Sequence, residues 1–309
     1  MAFRRGRIMR AGRPFQAIFS LLVLAILSGQ GAPPASLGQQ GAEAEPDRAQ
    51  QWLVPTPAGN QPAHAVLFRP PGDGPFRLAV IAHATTQNNV RRAQMPQPEY
   101  RPLAAFLVAR GFAVLVPERL GHGATGGAYI EDQGGCEEAD YVGSARAAAS
   151  QIASALRFLH AQPFIRHDGA VILGHSAGGW GALALASEDP RVISAIIAFA
   201  PGRGGHASDL ENRVCAPQRL VDAAATLGAG ARVGVTWLVA ANDTYFAPAF
   251  SRKLADAFRA GGGRVEFRVL PASGNEGHWM AETEGGVMSA GTDLDRALKL
   301  PPEARSGKR

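Results

Sequence analysis

Cysteine is scarce: Cys136 and Cys215 are the only two in 309 residues. That scarcity excludes a fold stapled by a disulfide framework and leaves one bridge between the pair as the expectation in an oxidising compartment. Closing so long a loop is worth about 4 kcal/mol in the chain-entropy picture. Internal repeats, heptad runs and a second block of distinct composition are also missing. One catalytic-size domain is therefore expected, not a solenoid, a coiled coil or a string of modules. Hydrophobic residues at 46% against 18% charged give that domain a sizeable core.

No apolar run is long enough to cross a membrane as a helix, which takes roughly 20 residues. The most apolar stretch, AIFSLLVLAILS from Ala17 to Ser28, follows Arg4, Arg5, Arg7, Arg10 and Arg13. A basic region before a short apolar run reads as a secretory signal peptide over 1–30. GAPPASLGQQGAEAEP then reads as a flexible leader, taken over 31–50, and the catalytic domain as 51–300. No cysteine follows the apolar run to accept a lipid, so no stable membrane anchor is expected, and the mature chain belongs outside the cytoplasm, secreted or periplasmic.

The mature domain also lacks an excess of positive charge. The formal charge of +5 includes the five leading arginines and Arg305, Lys308 and Arg309 of a basic disordered tail over 301–309; without those eight, 23 basic residues face 26 acidic ones. A nucleic-acid partner is therefore not expected. RLGHGATGG (Arg119 to Gly127) lacks the lysine and following Ser or Thr of a phosphate loop, so it reads as a plain loop. The acidic residues Glu131, Asp132, Glu137, Glu138 and Asp140 around Cys136 read as a solvated loop. Nothing calls for a metal or a cofactor, and nothing sets an oligomeric state.

What is present alternates. Continuous apolar runs at 63–69, 77–83, 112–117, 170–174, 192–199, 233–241 and 264–270 read as strands buried on both faces. Helical patterns at 100–110, 139–160 and 249–260 lie between them, the first stopping at Gly111 and the last at Gly261 to Gly263. That order predicts an α/β sandwich with a mostly parallel sheet, whose ligand sites lie at the carboxyl ends of the strands.

GHSAG (Gly174 to Gly178) sits after one such strand and before a helix. The glycines let the turn hold Ser176 in a strained conformation and leave the amide of Ala177 free to meet an oxyanion. A serine there needs a base, and only His206 and His278 follow it. His206 comes directly after the next strand, with no acid-bearing strand end between. His278 lies in the loop after the last strand, where a general base can reach Ser176. Asp243, at the end of the strand before that, would orient His278 through Nδ1; Asn-Asp there also suits a turn or cap. Asp222, Asp256 and Glu276 are weaker candidates. The amide of Thr85, after the strand at 77–83, is the expected second oxyanion donor, with His83 shaping that loop. Trp180, Tyr245, Phe246 and Trp279 neighbour these positions and are candidates for an acyl pocket, or equally for core packing.

The elbow around Ser176, the strand-end Asp243, the loop His278 and HATT (His83 to Thr86) together resemble the α/β-hydrolases, in layout the dienelactone hydrolase-like branch, over about 63–280. The resemblance implies an α/β-hydrolase fold of roughly eight strands with helices on both faces and hydrolysis of a small-molecule ester without a cofactor. The founding dienelactone hydrolases carry a cysteine nucleophile where this chain has Ser176, so their substrate does not transfer. Many members have His-Gly where this chain has His83 and Ala84. The segment from Pro201 to about Leu220 is too short for a lid domain, which implies an open site. A peptidase, an amidase or an acyltransferase would use the same triad, and a non-catalytic binding protein is the reading from another class.

Overall fold

The computed structural model describes residues 36–299. The expected signal segment, the first residues of the leader and the basic tail lie outside the described residues. In chain order the elements are β1 (Gly38–Ala44), β2 (Ala49–Val54), β3 (Ala63–Phe68), β4 (Arg77–Ala82), α1 (Asn89–Ala93) and α2 (Arg101–Val108). Next come β5 (Phe112–Pro117), α3 (Tyr141–His160), β6 (Ala170–His175), α4 (Ala177–Ala184), β7 (Ile193–Phe199) and α5 (Pro217–Gly228). β8 (Val235–Ala240), α6 (Pro248–Ala260), β9 (Val265–Leu270) and α7 (Glu284–Ala297) complete the fold.

The nine strands form one sheet in the order β1-β2-β3-β5-β4-β6-β7-β8-β9. Pairing is antiparallel from β1 through β3 to β5, and parallel from there on. The unbroken apolar runs follow from helices on both faces. Along β4, Leu78, Val80 and Ala82 join one core layer with Ile152 and Leu156 of α3. Ala79 and Ile81, pointing the other way, join the second layer with Leu103 and Leu107 of α2 and Leu294 of α7. Each residue is buried whichever way it points, so the alternation of a one-sided strand has nothing to select it. Truncating Leu78, Ile81, Leu103 or Leu107 to alanine is expected to cost about 2–5 kcal/mol.

The strands predicted from the apolar runs stand within two residues of their expected ends. The leader expectation is corrected: from Gly38 the chain is sheet, with Gly38 opposite Leu53 and Gln39 opposite Trp52. β1 reads GQQGAEA and is largely exposed. An edge strand held by main-chain hydrogen bonds needs no hydrophobic period, so nothing in its composition announces it. Glu43 of β1 also pairs with Arg48 at 2.6 Å and with Arg69. No helix among the described residues is long and apolar enough to cross a membrane.

Candidate active site

β6 ends at the centre of the sheet and passes straight into α4 through Ser176. The serine holds φ 53° and ψ −117°, a conformation that costs a non-glycine residue about 1–3 kcal/mol. Main-chain hydrogen bonds impose it: Ser176 N–H donates to Phe199 O at 2.9 Å, and Ser176 O accepts from Trp180 at 2.8 Å and Gly202 at 3.2 Å. The flanking glycines have a steric cause. A Cβ on Gly174 would sit 2.5 Å from Gly179 Cα, and one on Gly178 would overlap the Ala82 carbonyl. Trp180 points the other way. It is fully buried, and its indole N–H donates to Tyr141 O at 2.8 Å. Its candidacy for the pocket is corrected, because α4 turns that face onto α3.

Asp243 lies just beyond β8. Its Oδ1 accepts the main-chain N–H groups of Tyr245 and Phe246, both at 2.8 Å. Its Oδ2 faces His278 Nδ1 at 3.0 Å, and both side chains are buried. His278 opens the short turn Gly277–Glu282 after β9. Burial pushes its imidazole below the ordinary histidine range, against the hydrogen bond and charge of Asp243, so at neutral pH it is a neutral base. Glu276 clamps this loop: its Oε1 accepts from His278 N–H at 2.9 Å and from Thr244 N–H at 3.1 Å.

Ser176, Ala177, Thr85 and His278 line one cleft of about 840 Å³. The Ser176 hydroxyl has no hydrogen-bond partner among the described residues, so no Ser176–His278 hydrogen bond is formed here, although both side chains line the same cleft. In free enzymes such contacts often tighten only with substrate bound. The amides of Ala177 and Thr85 likewise meet no acceptor among the described residues, whereas the Ala84 amide donates to the Tyr100 hydroxyl at 3.0 Å. Tyr245, Phe246 and Trp279 do line the cleft. Phe246 is nearly buried against Gly202, while Trp279 stands 39% exposed at the rim.

His83 is structural, as expected: Nδ1–H donates to Ala84 O at 2.6 Å, and Nε2 accepts from Arg119 N–H at 3.1 Å. Burial holds it well below the ordinary range. His122 orients the neighbouring loop, its Nδ1 on Arg119 O at 3.0 Å and its Nε2 on the Thr85 hydroxyl. Burial, then the charge of Arg119, brings His122 down to about 4.

The far wall contradicts one expectation. Glu131, expected in a solvated loop, is fully buried between Arg119 and Arg203, with Gln151 donating to it at 2.9 Å. Burial alone would raise its pKa; the two guanidinium groups outweigh that and hold the carboxyl below its ordinary range. The partners lie far off in sequence, so no local pattern marks the pairing. Cys136 and Cys215 are disulfide-bonded, 79 positions apart in sequence and with Cα atoms 5.0 Å apart. The bond joins the loop before α3 to the loop before α5, and both cysteines line the cleft. His175, inside the elbow motif, was also missed by sequence reasoning. Its Nε2 faces the His278 carbonyl at 2.7 Å, and its Nδ1 lies 2.9 Å from the Tyr100 hydroxyl. Among the described residues no cluster of His, Cys, Asp and Glu is arranged to hold a metal.

Residues 97–244 match the family model described as serine aminopeptidase, S33. The chain matches no curated relative. Among solved structures, a cold-adapted esterase from an Arctic intertidal metagenomic library superposes with TM-score 0.55 at 19% identity, covering 86% of this chain and 100% of that one. A Klebsiella pneumoniae protein assigned as a dienelactone hydrolase gives TM-score 0.52 at 16%, covering 81% and 98%. A Mycobacterium tuberculosis puromycin-hydrolysing peptidase gives 0.53 at 15%, covering 82% of this chain and 40% of that one. At such identities the structures speak for the fold, while the family match spans the elbow and Asp243. The chain has the α/β-hydrolase fold, and its central part, residues 97–244, is similar to the serine aminopeptidase family.

Proposed function

We propose that the protein is an exported serine hydrolase that cleaves small-molecule carboxylic esters through Ser176, His278 and Asp243. The observation that carries this reading is the buried Asp243–His278 pair at 3.0 Å, opening onto the same cleft as a strained serine and two unpaired amides. Ser176 Oγ attacks the acyl carbonyl while His278 Nε2 takes its proton. Asp243 keeps the proton of Nδ1 in place and stabilises the imidazolium. The amides of Ala177 and Thr85 hold the oxyanion; in comparable sites one such donor is worth about 2.7–4 kcal/mol. His278 then returns the proton to the leaving alcohol, and water releases the acyl group by the same steps in reverse roles. The wide cleft admits that water. The disulfide supports export, since such a bond persists in an oxidising compartment.

The test is a panel of p-nitrophenyl esters graded by acyl length, run beside matched anilides and an added alcohol acceptor. Ester turnover that disappears in Ser176→Ala supports the reading. Faster release from the anilides would move the assignment to an amidase or peptidase, the second reading, which the family match favours. Acyl groups recovered on the added alcohol would make it a transferase.

A further inference from the structure

One face of the His278 imidazole is covered by an aromatic ring. Tyr245 lies nearly parallel to it, with centroids 4.2 Å apart and planes at 17°. The opposite face of Tyr245 lies on the imidazole of His206, at 3.5 Å and 12°. The three rings form a stack with the tyrosine in the middle, and hydrogen bonds fix it from both ends. Tyr245 N–H donates to Oδ1 of Asp243, whose Oδ2 faces His278. His206 Nε2 lies 2.8 Å from the Thr244 hydroxyl, which gives its single hydrogen to Glu276. His206 Nε2 is therefore the donor. Glu276 in turn accepts the main-chain N–H of His278. Tyr245 is half-buried in the cleft wall, and its hydroxyl has no hydrogen-bond partner among the described residues.

We propose that Tyr245 is a positioning residue for the base: its π face holds the His278 ring in place and favours the imidazolium, with His206 backing the tyrosine from behind. The inference rests on the role given to His278 above. As Ser176 Oγ bonds to the acyl carbon, its proton passes to His278 Nε2; the imidazole gains a positive charge and the acyl oxygen a negative one. A cation over an aromatic face is attracted to it, whereas a neutral ring gains only dispersion. The stack thus strengthens as the proton moves, which is what accelerates a step. The other groups around the base are Asp243 on Nδ1, the carboxylates of Glu276 and Glu282, the His175 ring at 5.0 Å, the Trp279 edge at 5.4 Å and Phe246 at 5.6 Å. Arg91 and Asp209 are further charges facing Tyr245. None of these is altered by the substitutions below.

The experiment compares the wild type with Tyr245→Leu, Tyr245→Phe and pentafluorophenylalanine at position 245, which keeps the ring's shape and reverses its quadrupole. NMR titration of the His278 ring needs no turnover and is read first. Tyr245→Leu is expected to lower its pKa by about 0.5–1.5 units and kcat on p-nitrophenyl acetate by the matching factor of about 3–30, with KM little changed. The acid limb of the pH–rate profile moves to lower pH with it. Tyr245→Phe restores the titration and most of kcat, and the fluorinated ring behaves like leucine. His206→Leu gives a smaller loss that vanishes in the Tyr245→Leu background. Should Tyr245→Leu melt early, the fluorinated ring decides. A wild-type titration in both the leucine and fluorinated proteins overturns the inference. So does a phenylalanine variant that falls with leucine, since the hydroxyl would then carry the effect. A wild type that cleaves no ester removes the proposed function, while the titration still decides the stack.

Discussion

The two sides of the cleft are held by different means. On one side, Ser176 and its amide neighbours are fixed by main chain packed against main chain, with glycines where a Cβ would overlap the Ala82 carbonyl or crowd Gly179. On the other, the loops before α3 and α5 are fixed by side chains and one covalent bond: Glu131 between Arg119 and Arg203, and Cys136 joined to Cys215. Backbone packing of the first kind is all-or-none, because a strained turn survives only where its surroundings over-determine it. Side-chain fastening of the second kind is graded, and each fastener can be removed separately.

The largest effect is expected on the elbow side. Gly178→Ala pushes a methyl into the Ala82 carbonyl and should cost about 4 kcal/mol or more, or leave no folded protein, by urea unfolding. On the wall, Glu131→Gln leaves two buried guanidinium groups without their counter-charge and should cost about 3–5 kcal/mol. Removing both cysteines as Cys136→Ser with Cys215→Ser should cost about 2–5 kcal/mol while leaving a folded protein that still reacts at Ser176 in the cold. An elbow variant that folds normally, or a wall variant that abolishes Ser176 reactivity while folded, would erase the distinction.

Much of this molecule could be read from residue order, and the parts that could not share a cause. Strands buried on both faces announce themselves as apolar runs, and the elbow announces itself by glycines around a serine between a strand and a helix. Asp243 and His278 were legible because each stands at a strand's carboxyl end. β1 was not, since GQQGAEA pairs through its main chain and buries almost nothing. Nor was the burial of Glu131, whose acidic neighbours point to solvent while its two arginines come from segments 12 and 72 residues away. The choice between pocket and core for Trp180 stayed open for a related reason: sequence proximity to Ser176 does not say which face of α4 it occupies. Contacts made across long sequence separations leave no period behind.

The most gradual effect is electrostatic and separates the two sides by pH. His122, beside Thr85, is held at about 4 in the folded state against 6.5 unfolded. Between those values the unfolded chain takes up a proton that the native state refuses, so stability falls as pH drops from about 6.5 to about 4, by about 3 kcal/mol from this residue. His83 and His278, also lowered, act in the same direction. Glu131 adds its loss only further down, as its own depressed pKa is crossed. Urea midpoints between pH 7 and pH 4.5 measure the slope, and His122→Gln should flatten it.

The most direct measurement of the central claim is covalent labelling of the folded, disulfide-intact protein with a fluorophosphonate, followed by mass spectrometry of the labelled peptide. The account predicts one adduct, on Ser176, absent from Ser176→Ala and strongly slowed in His278→Ala and Asp243→Ala. No adduct, or an adduct elsewhere that His278→Ala leaves unchanged, would contradict it.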